Sequence, residues 1–326
     1  MKTGLSFVMM LACGLSLNAQ NVISTRSGLI HFVDGYGATL DGLLVSPKLG
    51  EFPLMRDGET LASENARVEV LLNPGVFLRL DEHSSFKMVR NKLSDTRVEM
   101  LTGSAIVELD EPPLGNSLML LFHDAKITPT KHGLYRLDAD QRRFRVSEGE
   151  AQVIQGDQTV ELKGGRQVEF GAVLAVSKFN RKIADSLDTW AAGRSQQIAQ
   201  ANITSAKMVS TGGSSSYTNS VWIWNPYYGL FTYLPARGYG YNPYGWRYYS
   251  PRTVDSYYHP SYQQPSVYAA SNGAGDTRGS IMNNSVSNGS AVSSNPAVAA
   301  APAPVASAPP ASMSRGSISG GGGQGR

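Results

Sequence analysis

The chain is poor in the residues that do chemistry. It has one cysteine in 326 residues, Cys13, so a disulfide framework and a cysteine-built zinc site are excluded. Its five histidines, His31, His83, His123, His132 and His259, form no i, i+4 pair and no Cys/His cluster. The turn Asp81-Glu82-His83 is a polar connection between strands, not a metal site, and neither metal nor cofactor is expected. There is no Gly-x-Ser-x-Gly elbow and no P-loop. Gly238-Tyr239-Gly240 has no βαβ unit before it, which excludes a dinucleotide fingerprint. Apolar runs are short, and none approaches the ~20 residues that span a bilayer. A formal net charge of +3, with dispersed arginines, is too small to point to nucleic acid. Beyond Ser210 acid nearly vanishes, leaving Asp255 and Asp276.

The start of the chain has the layout of a secretory signal. Lys2 gives a positive start, Leu5 to Leu17 is apolar, and Ala19 is a small residue at the expected cut. The expectation is export to the periplasm or cell surface with residues 1–19 removed. Met10-Leu11-Ala12-Cys13-Gly14 loosely resembles a lipoprotein box, which offers lipid anchoring at Cys13 as an alternative.

From about Gly28 to Phe170 the pattern is that of short strands. Val76, Leu78 and Leu80 alternate with Phe77 and Arg79. Ala105, Val107 and Leu109 alternate with Ile106 and Glu108, and Phe144 and Val146 with Arg143 and Arg145. Period-2 patterning places one face on a core and the other in water. Turn residues separate the runs, among them Asn73-Pro74-Gly75, Thr102-Gly103, Glu148-Gly149 and Gly164-Gly165. Glu99, Glu108, Asp110 and Glu111 alternate with apolar residues and read as solvated strand faces, although a glycosidase pair of carboxylates remains an alternative. Leu101–Val107 and Val146–Val153 echo one another as strand, glycine turn and strand, a pattern shared by solenoid coils and by hairpins.

The expected fold class is therefore all-β, a solenoid or sandwich over residues 20–172. One helix over 175–209 follows, with Phe179, Ile183, Leu187, Trp190, Ala191, Arg194, Ile198 and Ala201 near helical spacing and Asp185 and Asp188 opposite. A Tyr/Trp-rich segment occupies 216–262. A Ser/Gly/Ala/Pro-rich tail over 263–326 has the composition of a disordered segment. Within the aromatic segment Asn225-Pro226-Tyr227-Tyr228-Gly229 and Asn242-Pro243-Tyr244-Gly245 form an imperfect repeat of a turn followed by an aromatic strand. The candidate binding residues are Trp222, Trp224, Tyr227, Tyr228, Tyr233, Tyr244, Trp246, Tyr248 and Tyr249. Exposed, they would stack on sugar rings or dock a protein groove; packed, they would strap the β domain.

The order of phrases from Phe52 to Phe170 resembles the FecR-like periplasmic domain. The matching phrases are Gly58-Glu59-Thr60-Leu61, Ala66 to Leu72, Pro74 to Leu80, Ser84-Ser85-Phe86, Gly103 to Val107, Gly133 to Leu137 and Val146 to Val153. The resemblance implies an all-β periplasmic domain. In the namesake regulators that domain senses the state of a TonB-dependent receptor and signals across the inner membrane to a sigma factor. No anti-sigma segment and no membrane helix are recognised here, so only fold and compartment carry over. The expectation is a non-enzymatic binding or scaffold protein of the envelope, recognising another envelope protein or a cell-wall glycan. The alternatives are a signalling component that acts through a membrane partner, and a carbohydrate-active enzyme.

Overall fold

The computed structural model describes residues 26–47, 51–112, 118–211 and 219–258. The signal segment, Cys13 and the tail after 262 lie outside the described residues. In chain order the first strands are β1 Leu29–Tyr36, β2 Thr39–Leu40, β3 Leu43–Leu44, β4 Thr60–Ala62, β5 Asn65–Leu71 and β6 Val76–Leu80. They continue as β7 Ser85–Lys92, β8 Asp95–Thr102, β9 Ser104–Leu109, β10 Leu118–Phe122, β11 Ala125–Pro129 and β12 Gly133–Asp138. The body closes with β13 Arg143–Glu148, β14 Glu150–Gln155, β15 Gln158–Lys163, β16 Arg166–Glu169 and β17 Ala175–Lys178.

These strands form two sheets. One has the order β1-β5-β6-β9-β12-β13-β16-β17, the other β15-β14-β11-β10-β8-β7-β4-β2-β3. Most neighbours are antiparallel, and β8 and β10 run parallel. The alternation dictates the layering. Val68, Val70, Val76, Leu78, Val107, Phe144 and Val146 point inward from the first sheet. They meet Phe86, Met88, Val98, Leu120, Ile127 and Val153 of the second in one apolar core. This is a sandwich.

The chain passes repeatedly from one sheet to the other, and two such passages are the echoed glycine turns. Gly103 joins β8 to β9 with φ 69°, and Gly149 joins β13 to β14 with φ 93°. A Cβ on Gly103 would lie 2.1 Å from Ser84 Oγ, and one on Gly149 2.4 Å from the Tyr135 hydroxyl. Both positions need glycine for the left-handed backbone and for the close approach.

The helix α1 runs Ser186–Thr211. It begins later than the expected 175, because residues 175–178 pair as β17 with β16. Asp185 and Asp188, expected opposite the apolar face, instead form a reciprocal capping box at its start. Asp188 N–H donates to Asp185 Oδ1 at 3.0 Å, and Asp185 N–H to Asp188 Oδ2 at 3.1 Å. Ile183 lies before the helix and is exposed. Leu187, Ala191, Arg194, Ile198, Asn202, Ser205 and Val209 form the buried stripe. After α1 come β18 Val221–Asn225 paired with β19 Leu230–Leu234, β20 Tyr239–Tyr241 paired with β21 Arg247–Tyr249, and α2 Pro251–Tyr258. Among the described residues no helix is long and apolar enough to cross a membrane.

Candidate binding site

The outer face of the first sheet carries Leu71, Phe77, Arg79, Ile106 and Glu108, and α1 and the two aromatic hairpins cover it. Trp222, Tyr233 and Tyr248 pack with Leu29, Leu71, Phe77 and Ile198 in a second apolar cluster. The Trp222 ring meets Phe77 edge-on at 4.9 Å, and Tyr233 meets Tyr248 at 5.3 Å. Each Asn-Pro turn docks on the helix in the same way. Asn225 Nδ2 donates to Ser205 Oγ at 3.0 Å while its Oδ1 accepts from Tyr227 and Tyr228 N–H. Asn242 Nδ2 donates to Ser195 Oγ while its Oδ1 accepts from Tyr244 and Trp246 N–H. The sequence repeat is thus an Asx turn used twice to anchor an aromatic hairpin. Between the two, Asn202 donates to the carbonyls of Tyr233 and Tyr249.

Under α1 lies a fully buried ionic network. Arg79 Nε donates to Glu69 Oε2 at 2.9 Å, and its Nη1 donates to Glu108. From the helix, Arg194 Nη2 donates to Glu69 Oε1 at 2.8 Å, and Ser195 Oγ to Glu108 Oε1 at 2.7 Å. His31 Nδ1 lies 2.8 Å from the same Glu69 oxygen, and its Nε2 accepts Phe231 N–H. Since Nε2 accepts, the ring is neutral with its proton on Nδ1. Burial would raise the Glu69 carboxyl, but Arg194 and then Arg79 hold it well below its ordinary range. Burial lowers His31 in spite of the Glu69 hydrogen bond. Glu108, expected on a solvated face, is buried because α1 and the second hairpin lie over it. The turn at Asp81-Glu82 faces Arg67, at 2.8 and 3.2 Å. Among the described residues no group of three His, Cys, Asp or Glu is placed to hold a metal ion.

Beside this network the body and the hairpins enclose a cleft of about 330 Å³, lined by Asp110, Glu111, Tyr233, Arg237, Tyr239, Tyr241 and Tyr248, among others. Glu111 is held by the Tyr233 hydroxyl and by Ser220. Asp110 differs: both its carboxylate oxygens are buried, and it shares a hydrogen bond with the neighbouring Glu108 carboxyl. Burial, and then the Glu108 charge beside it, pushes its carboxyl well above the usual range. Tyr248 is 1% exposed, and its buried hydroxyl lies against the Asn242 side chain. Tyr239 and Tyr241, two residues apart on β20 and so on one face, stand 5.9 Å apart at the rim. The Arg247 guanidinium lies 4.9 Å from the Tyr241 ring centre.

The nine candidate residues are thereby divided. Trp222, Tyr233 and Tyr248 are interior, which removes their ring faces from any outer contact surface. Trp224, Tyr244 and Tyr249 are half-buried. Trp224 packs on Phe52 and Phe231. Tyr227, Tyr228 and Trp246 are open, at 77%, 46% and 39% exposure. Tyr239 and Tyr241, at 52% and 45%, are equally open and were absent from the candidate set. The Tyr-Gly-Tyr alternation was their signal in the sequence. Asp110 and Glu111 stood out only as strand carboxylates, since their surroundings depend on what closes over the end of β9.

No family model matches the chain, and no curated protein matches it. Two crystal structures of a candidate anti-sigma factor from Parabacteroides distasonis are similar to it. One, at 2.50 Å resolution, is 15% identical, covers 37% of this chain and 59% of its own, and has a TM-score of 0.33. The other, at 1.65 Å, is 14% identical, covers 41% and 65%, and has a TM-score of 0.35. The matched region spans less than two thirds of either neighbour.

Proposed function

We propose that this chain is an exported, non-enzymatic binding protein of the cell envelope, built on a FecR-like β domain whose contact surface is the open rim of the aromatic hairpins. The FecR-like reading is supported by where its phrases fall. Ala66–Leu72, Pro74–Leu80, Gly103–Val107, Gly133–Leu137 and Val146–Val153 lie on β5, β6, β9, β12 and the β13-β14 turn of one sandwich. The observation that carries the binding reading is the group of open rings at Tyr227, Tyr228, Tyr239, Tyr241 and Trp246. Rings exposed on hairpins that are anchored by buried asparagines keep their geometry before a partner arrives, which lowers the ordering cost of binding. Export rests on the signal-like start of the chain.

Deleting the hairpins is a poor test, because it would uncover Leu71, Phe77 and Ile198. Point variants avoid this. The intact protein, Tyr239→Ser/Tyr241→Ser/Trp246→Ser and Tyr227→Ser/Tyr228→Ser are compared in sedimentation and pull-down from envelope extract and purified cell-wall material. Retention should fall about tenfold or more in at least one variant, which corresponds to about 1.4 kcal/mol. Equal retention by all three refutes the rim, and release of soluble fragments from the wall refutes the non-enzymatic reading.

A further inference from the structure

The first aromatic hairpin is tied to the sandwich at a titratable atom. In the β18-β19 ribbon, β19 has a neighbouring strand on one side only, so an N–H on its other side needs an acceptor from elsewhere. Phe231 N–H finds it at His31 Nε2 on β1, 2.8 Å away. The His31 side chain is fully buried, with the Phe52 and Phe231 rings 5.7 and 6.2 Å from its own. Trp224 packs on both of those rings, so water cannot stand in for a lost acceptor. The charged groups that face His31 are Glu69 of β5, Arg79 of β6 and Arg194 of α1. Among the described residues Glu69 is the carboxylate bonded to the ring, and it already holds both guanidinium groups. Glu108 of β9 takes the other end of Arg79 and bonds Asp110 in turn.

We propose that His31 is an acid-operated catch: as a neutral ring it holds β19 on the sandwich, and once Nε2 is protonated it lets go of Phe231, so that the hairpin opens while the sandwich stays folded. Protonation turns Nε2 from an acceptor into a donor and sets it against another N–H. It also adds a positive charge beside Arg79 and Arg194 where no solvent reaches. Burial accordingly keeps the closed form from taking up a proton at the ordinary 6.5, whereas the open form takes it up there. The turn of this hairpin carries Tyr227 and Tyr228, so acid withdraws those two rings from the geometry in which they are presented. The inference goes beyond the binding reading and needs no ligand.

The test is amide hydrogen exchange of the full chain, corrected for its intrinsic pH dependence and followed from neutral pH to about pH 5. The opening equilibrium at Phe231 should rise about tenfold per pH unit below 6.5, until His31 titrates in the closed form as well. At every pH, opening there should exceed opening at Ile127 and Val153, which pair across β11 and β14. It should also depend less on urea, because a local opening exposes less surface. In His31→Gln the side-chain oxygen accepts the same N–H at any pH, and the rise should disappear. Nitrogen NMR of the wild type gives a check that does not depend on the variant: the Nε2 signal should pass from unprotonated to protonated where Phe231 loses protection. Equal opening and equal urea dependence at all three amides would make the event global unfolding and overturn the catch. So would a rise that survives in His31→Gln, or an Nε2 already protonated at neutral pH with Phe231 protected.

Discussion

Replacing Arg79 by Met tests whether the buried network is a requirement of the fold. The side chain is fully buried, with Glu69 on one side, Glu108 on the other and the Phe77 ring 5.1 Å away. In Arg79→Met, Glu69 keeps Arg194 and His31. Glu108 keeps the Ser195 hydroxyl and its hydrogen bond with the Asp110 carboxyl, but no cation. One buried carboxylate thus loses its counter-charge, and removing one partner of a buried pair costs about 3–5 kcal/mol. Against a domain stability of roughly 5–15 kcal/mol, that is a large shift of the urea midpoint. Adding Glu108→Gln removes the stranded charge and keeps an acceptor for Ser195, so the double variant should recover at least ~1 kcal/mol over the single one. The loss should persist in about 1 M salt, because no solvent reaches the pair to screen it. A loss below ~1 kcal/mol, or one that disappears in salt, would refute a solvent-free network under α1.

Acidification should destabilise the protein in two windows. His31 has a folded pKa below its ordinary 6.5, so between the two values the unfolded chain holds a proton the folded one lacks. Stability is complete above 6.5 and falls as pH drops through that window, by at most ~1.4 kcal/mol per pH unit. Glu69 adds a second loss below its ordinary 4.5. Asp110, with a raised carboxyl, contributes with the opposite sign, so the comparison of melting curves is wild type against His31→Gln. The upper window should be missing from the variant, and its survival would mean that another group titrates there. Gly193 is exposed within α1, with open space at its Cβ, and Gly193→Ala should raise stability by about 1 kcal/mol in denaturant titration. Gly149→Ala should do the reverse by at least ~1 kcal/mol, since it forces a left-handed alanine against Tyr135 and the His132 carbonyl; an unchanged midpoint would argue against that turn.

The body of the fold was legible because its rules are local. Alternation at β6, β9 and β13 set which side chains face the core, and the echoed glycines marked two passages between sheets. The Asn-Pro repeat was visible too, although its purpose, a side-chain anchor on Ser195 and Ser205, was not. The start of α1 was misplaced because residues 175–178 joined a sheet edge, a choice made by β16 and not by local propensity. Period-2 patterning assigns residues to two faces and is silent on what covers each face. Arg79 and Glu108 therefore read as solvated, and the nine aromatic rings read equally as an exposed surface or as a strap on the body. Only the docking of α1 and two hairpins decided that the ions are buried, that Trp222, Tyr233 and Tyr248 are core, and that Asp110 closes a cleft. Those contacts join residues more than a hundred positions apart, from Glu69 to Arg194 and from Glu111 to Tyr233, a distance over which no sequence periodicity carries information.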